Sequence, residues 1–230
     1  METIDKIIQS LIKDYKHFVY DINGRHKSWE HCYSRFVSAR NETSPDIDTL
    51  SLNLAFYLAS WGMYRGSSFL MQKDYKIHIP AVEIILKNEY SCLSEIECNS
   101  YKNIEAQSAL SRVSDELRAY YNGIRKQVKG SAISGQISDT LITKILLGTL
   151  GCVPAYDRFF ICGIKSEKIS TGNFNMSSIL KLADFYEANS VLLEAGRQLF
   201  TIGDIPYPQM KILDMGFWHI GYDNETHGQH

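Results

Sequence analysis

The chain lacks every cysteine arrangement that builds a metal or disulfide framework. Its five cysteines (Cys32, Cys92, Cys98, Cys152 and Cys162) are odd in number and never form a C-x-x-C pair. That argues against a disulfide scaffold, a zinc ribbon and an iron–sulfur loop alike. They read as reduced thiols of a cytoplasmic protein. Paired histidine ligands are missing too, since His17, His26, His31 and His78 form neither H-x-x-x-H nor H-E-x-x-H, and His227 and His230 fall in a polar tail. No metal or other cofactor is expected. The stretch Gly62 to Ser68 lacks the lysine and the preceding strand that a phosphate loop or a dinucleotide fingerprint requires.

Charge excess is also absent. A formal net charge of −2 leaves no surface for coating a polyanion, so any nucleic-acid contact must be local. The longest uncharged run, Thr49 to Tyr64, contains Asn53 and Ser60 and falls short of the roughly 20 apolar residues of a membrane span. No membrane partner is expected. The N-terminus is charged from its second residue and carries no leader pattern.

What the chain does have is helical periodicity and material for a core. Only five prolines interrupt it, and 44% of its 230 residues are hydrophobic, enough to bury a sizeable core. Ile4, Ile7, Ile8, Leu11, Ile12, Tyr15 and Val19 follow the three-and-four spacing of a one-faced helix, which Asn23 and Gly24 end. A second helix is expected over Trp29 to Ala39 and a third, apolar nearly all round and central, over Leu50 to Met71. Ile79–Pro80 restarts a helix towards Lys87, and Ser100 to Gln127 holds one or two more. Asn175 and Asn189 are candidate N-caps, and Pro206 to Pro208 opens a last helix that Gly221 closes. Residues 223–230 read as a frayed tail. The fold class is all-α, a two-lobed helical bundle. Residues 1–45 are expected to pack with a C-terminal lobe over 151–230, and 46–150 to form the central bundle.

The segment Ile133 to Phe160 carries the chemistry. A glycine hairpin (Gly135, Gln136, Ile137, Ser138) opens a helix at Asp139, with Arg125, Lys126 and Lys129 just upstream; after that helix a turn through Pro154 delivers Asp157. Unpaired backbone N–H groups and the helix dipole at such a hairpin suit a phosphate. Asp157 also reads as an ordinary N-cap of a helix starting at Arg158, and Lys126 and Lys129 as a solvated helix end.

Hairpin, helix and acid together resemble the helix-hairpin-helix DNA glycosylase superfamily, an all-helical group whose hairpin reads Leu-Pro-Gly-Val-Gly-x-Lys-Thr-Ala. Thr140 and Leu141 fall on that Thr-Ala, and the interval from Asp139 to Asp157 is similar to the family's. Ile137 replaces the second glycine, and Asp139 stands where bifunctional members carry their Schiff-base lysine. The resemblance therefore implies a monofunctional glycosylase that hydrolyses an N-glycosidic bond in double-stranded DNA, acting as a monomer, unless Lys144 supplies an amine. Asp157 would stabilise positive charge building on the deoxyribose. A flipped base needs aromatic walls and a wedge, for which Trp61, Tyr64, Tyr156 and Trp218, and Arg65 or Gln72, are the candidates. Alkylated or modified bases, including those of phage DNA in a defence role, are the expected targets. Asp214, between Leu213 and Met215, reads as an ordinary polar-face residue rather than a base-reading acid.

Two other classes compete. Arg25, His26 and His31 resemble the Arg-His…His motif of the HEPN ribonucleases, which implies metal-independent RNA cleavage by Arg25 and His31. The third reading is a non-enzymatic helical interaction module, which a solvent-exposed, unpocketed Asp157 would favour.

Overall fold

In a computed structural model, which describes residues 2–66, 68–128 and 136–227, the chain is all-α apart from one small hairpin. The helices are α1 (Thr3–Tyr20), α2 (His26–Ala39), α3 (Ile47–Ser60), α4 (Ile79–Ile85), α5 (Ile104–Gln127), α6 (Asp139–Thr149), α7 (Arg158–Ser166), α8 (Met176–Ala188), α9 (Ser190–Arg197) and α10 (Gln209–His227). Short 3-10 turns fill the stretches between α3 and α5. Strands β1 (Thr201–Ile202) and β2 (Ile205–Pro206) pair antiparallel ahead of α10.

Side chains at the helix starts set most of these boundaries. Asp46, Asn103, Ser138, Asp157 and Asn175 each accept a backbone N–H from the first turn of the helix they precede, satisfying donors that a helix start leaves orphaned. Asn189 does not cap: its amide donates to Phe185 O of the preceding helix.

Three expectations need correction. The third helix stops at Ser60 rather than running to Met71, because Gly62 takes a left-handed φ of +79°, which breaks the ladder. Nor is it buried all round, since Leu52 and Phe56 are 51% and 59% exposed. Gly221 does not end the last helix, which continues to His227, so residues 223–227 are helical.

Gly221 serves instead at the closest helix crossing. A Cβ there would lie 1.8 Å from Phe159 O, and one on Gly163 would lie 2.0 Å from Phe217 O. Glycines at both positions let α7 and α10 pack backbone to backbone. α1, α8 and α9 also pack on α10, whereas α2 packs on α3 and α6, and α5 on α4 and α6. The first two helices thus divide between the two groups: α1 joins the C-terminal helices and α2 joins the central ones. Between these groups lies the site.

Candidate active site

Asp157 is positioned by a buried turn whose polar backbone is satisfied by side chains. Two residues past the end of α6, Gly151 takes a left-handed φ of +66° and returns its N–H to Leu146 O at 3.0 Å. A Cβ there would meet Pro208 Cγ at 2.3 Å, so the turn needs glycine for both conformation and space. The chain then runs buried from Cys152 to Tyr156. Ala155 N donates to Asp214 Oδ1 at 2.9 Å, Tyr156 N to Thr143 Oγ1 at 2.9 Å, and Thr140 Oγ1 to Tyr156 O at 2.8 Å. Each otherwise orphaned group gains a partner, and the next residue, Asp157, is fixed at the start of α7.

There its two oxygens do different things. Asp157 Oδ1 accepts Phe160 N at 3.2 Å, capping α7, while Oδ2 faces Lys144 Nζ at 3.6 Å. Lys144 reaches this point from the middle of α6, where its side chain is only 8% exposed, and also donates to Trp61 O at 2.8 Å. Burial pushes the Asp157 carboxyl above its ordinary range and pulls the Lys144 amine below its own; their mutual attraction opposes both shifts. The amine is therefore easier to deprotonate than a surface lysine.

The pair lines a cavity of about 230 Å³. α10 presents one helical face to it: Lys211, Asp214, Met215, Trp218 and His219 recur at the three-and-four spacing. α1 contributes Asp14, His17 and Phe18 in the same way, and Arg25, His26, Trp29, Tyr57 and Trp61 complete the far wall. Lys211 Nζ is held by Asp214 Oδ2 at 2.8 Å and lies 5.1 Å and 5.6 Å from the ring centres of Trp29 and Trp61, cation–π contacts in a desolvated setting. His219 Nε2 pairs with Asp14 Oδ1 at 2.7 Å. The lining holds three basic side chains (Arg25, Lys144, Lys211) and three carboxylates (Asp14, Asp157, Asp214). Such a balance suits an uncharged ring more than an anion.

His26 is the one buried polar group of the lining left without a partner among the described residues. It is 7% exposed, its ring stacks on Phe18 at 3.7 Å and 7°, and its Nε2 meets no hydrogen-bonding atom. Burial lowers its pKa, favouring the neutral imidazole, which offers one donor and one acceptor.

The sequence candidates separate cleanly. Asp157, Lys144, Trp61 and Trp218 converge on the cavity. Asp139 does not line it and pairs with Arg118. Tyr156 is fully buried against Phe160 and Ser178, and Tyr64 bonds His78 Nε2 at 2.7 Å; both stand outside the lining. Arg65 and Gln72 are exposed and also stand outside it. Of the hairpin, Gly135 and Lys129 lie outside the described residues. Ile137 is buried with its N–H given to Asn122 Oδ1 at 2.9 Å, Gln136 O accepts Arg125 Nη1, Ser138 caps α6, and Lys126 is exposed. Arg25 lines the cavity with its guanidinium 4.4 Å from the Trp61 ring centre, but His31 is exposed and stands outside the lining. Asp214, read from sequence as a polar-face residue, is buried and holds both Ala155 and Lys211.

Spacing along the chain gave no sign of Asp14, Tyr57, Lys211 or His219, and pointed to His26 only as the middle of the Arg25–His31 motif. A signal existed in α10, where Lys211, Asp214 and His219 interrupt the apolar stretch between Met210 and Tyr222. Among the described residues, no three His, Cys, Asp or Glu side chains gather as a metal site, and no helix is long and apolar enough to cross a membrane. No known protein family, curated protein or solved structure matches the chain.

Proposed function

We propose that the protein excises a base from DNA by cleaving its N-glycosidic bond, with the flipped base held in the aromatic cavity and Asp157 beside the sugar. The observation that carries this reading is the Asp157–Lys144 pair, 3.6 Å apart in the wall of a cavity that also contains Trp29, Trp61 and Trp218. As the bond from C1′ to the base nitrogen breaks, positive charge builds on the deoxyribose, and a carboxylate in a desolvated site stabilises it strongly. Trp61 and Trp218, the partly exposed indoles of the lining, supply stacking surface for a base taken out of the duplex.

Two nucleophiles can complete the reaction. Water oriented by Asp157 leaves an abasic site. Alternatively, Lys144 Nζ attacks C1′, the base departs with the bonding electrons, and loss of a proton from nitrogen with opening of the sugar ring gives an imine. Burial lowers the Lys144 pKa, and Asp157 at 3.6 Å can take up the proton the amine must lose, which favours this second route. The pocketed, largely buried Asp157 favours an enzyme over an interaction module, and the separation of His31 from Arg25's cavity disfavours the ribonuclease.

The test is abasic-site formation on a panel of duplexes carrying damaged and phage-modified bases, with wild type and Asp157→Asn compared after mild alkali. Borohydride in the same reactions traps any Lys144 imine as a covalent protein–DNA species. Asp157-dependent breaks support the reading, and the trap separates the two nucleophiles. Silence across the panel, with RNA cleaved in an Arg25-dependent way, overturns it.

A further inference from the structure

A base-excising enzyme must fill the gap a flipped nucleotide leaves, yet neither Arg65 nor Gln72 lines the cavity. The turn between α1 and α2 has the right chemistry. Val19, Tyr20 and Ile22 are 55%, 88% and 70% exposed, three large apolar side chains within four positions. Scattered exposed apolar residues are ordinary, but a cluster at the rim of a cavity is not. This one sits at the rim by construction: His17 and Phe18 on one side of the turn and Arg25 and His26 on the other all line the cavity.

The turn is also braced. Phe18 and His26 stack at 3.7 Å across its base; Asp21 N returns to His17 O at 2.9 Å, and Gly24 N to Asp21 O at 3.0 Å. The Asp21 carboxylate folds inward, since a Cβ on Gly24 would meet Asp21 Oδ2 at 2.8 Å and His26 Nδ1 at 2.7 Å. Asp21 stays exposed but its carboxylate lies back over Gly24, while Lys16 and Arg25, both exposed, flank the turn with positive charge. An apolar tip between cations matches a base stack between phosphates.

We propose that Tyr20 and Ile22 form a wedge that enters the DNA base stack beside the cavity and occupies the space vacated by the flipped nucleotide. This rests on the base-excision reading. Apolar side chains inserted between base steps unstack them and open the duplex, and an aromatic ring replaces part of the lost stacking. Single-stranded DNA needs no such help, so the wedge matters for duplex alone.

The experiment compares wild type with Tyr20→Ser/Ile22→Ser on a duplex carrying a tetrahydrofuran abasic analogue opposite 2-aminopurine, and on the analogue-bearing single strand. Anisotropy reads affinity, and 2-aminopurine fluorescence reads unstacking. The expected result is about tenfold or greater loss of duplex affinity, loss of the fluorescence rise, and unchanged single-strand affinity. Val191→Ser, an apolar residue 84% exposed on α9, controls for surface polarity and should leave all three unchanged. Thermal melting should be unchanged as well, because both wedge residues are exposed. Equal duplex binding by wild type and the double variant, or equal loss on both substrates, overturns the wedge. If Asp157-dependent excision persists in that case, the base-excision reading survives without it. A wild type that neither excises nor binds the duplex overturns both.

Discussion

Asp157 divides its carboxylate between two tasks: Oδ1 caps α7 through Phe160 N at 3.2 Å, and Oδ2 faces Lys144 Nζ at 3.6 Å. The tasks can be separated by mutation, because Asn caps a helix about as well as Asp but carries no charge. Asp157→Asn should keep the fold and lose about 100-fold or more in excision rate. Asp157→Ala should lose activity to the same extent and about 1 kcal/mol of stability besides, lowering the melting temperature by about 2–4 °C. Calorimetry alongside single-turnover kinetics checks both. Equal activity in wild type and Asp157→Asn would reduce Asp157 to a cap.

The same pair sets the pH behaviour. Burial raises the Asp157 pKa, so the folded state binds its proton more tightly than the unfolded chain does. Its contribution to stability therefore falls as pH rises from the ordinary carboxylate value, about 3.9, through the folded value. Melting temperatures of wild type minus Asp157→Asn should become more negative across that window. Lys144 shifts downward, so folding gains from it as pH rises from its folded value towards about 10.4. Excision through the Lys144 amine should then climb with pH below the ordinary lysine range and be lost in Lys144→Arg. A borohydride trap that gives no adduct at any pH would leave water as the nucleophile.

The sequence carried the local part of this site and missed the distant part. Lys144 and Asp157 lie on one helix and the turn after it, so the order of α6, Pro154 and α7 brought them together on paper as in space. Asn175 and Asp157 could be read as caps because capping depends on the residue and its next three neighbours, although Asn189, read the same way, bonds back to Phe185 O instead. Asp14, Lys211 and His219 could not be found this way, because α1 and α10 meet only through tertiary packing. The length of α3 was misjudged for a related reason: an apolar composition continues past Ser60, but the left-handed Gly62 ends the helix regardless of hydropathy.

His26 supplies a prediction about recognition. The residue lines the cavity and its Nε2 is buried and unpartnered, so a base that enters far enough to hydrogen-bond to it would satisfy an atom otherwise left bare. His26→Phe keeps an aromatic ring against Phe18 and removes only that capacity. The fold should be as stable as wild type or slightly more so, since an unsatisfied buried group disappears. Excision efficiency should drop about 3- to 10-fold, a hydrogen bond's worth, mainly through weaker substrate binding. Unchanged kinetics would mean that the substrate does not reach His26.

The α7–α10 crossing supplies a prediction that couples fold to site. A methyl group on Gly163 or Gly221 would fall within 2.0 Å of a backbone carbonyl on the facing helix, and backbone cannot yield as a side chain tip can. Gly163→Ala or Gly221→Ala must force the helices apart, at a cost of about 3 kcal/mol or more, roughly 6–12 °C in melting temperature for a chain of this size. Asp157 caps α7, and α10 carries Lys211, Asp214, Trp218 and His219, so spreading them also widens the cavity. Either variant should therefore lose excision activity even at temperatures where circular dichroism shows it folded. Gly123→Ala provides the contrast: a Cβ on Gly123, in the exposed part of α5, meets nothing within 4 Å. That change should stabilise α5 slightly through helix propensity and leave activity alone. Equal melting temperatures for Gly163→Ala and Gly123→Ala would show that the crossing is looser than its geometry requires.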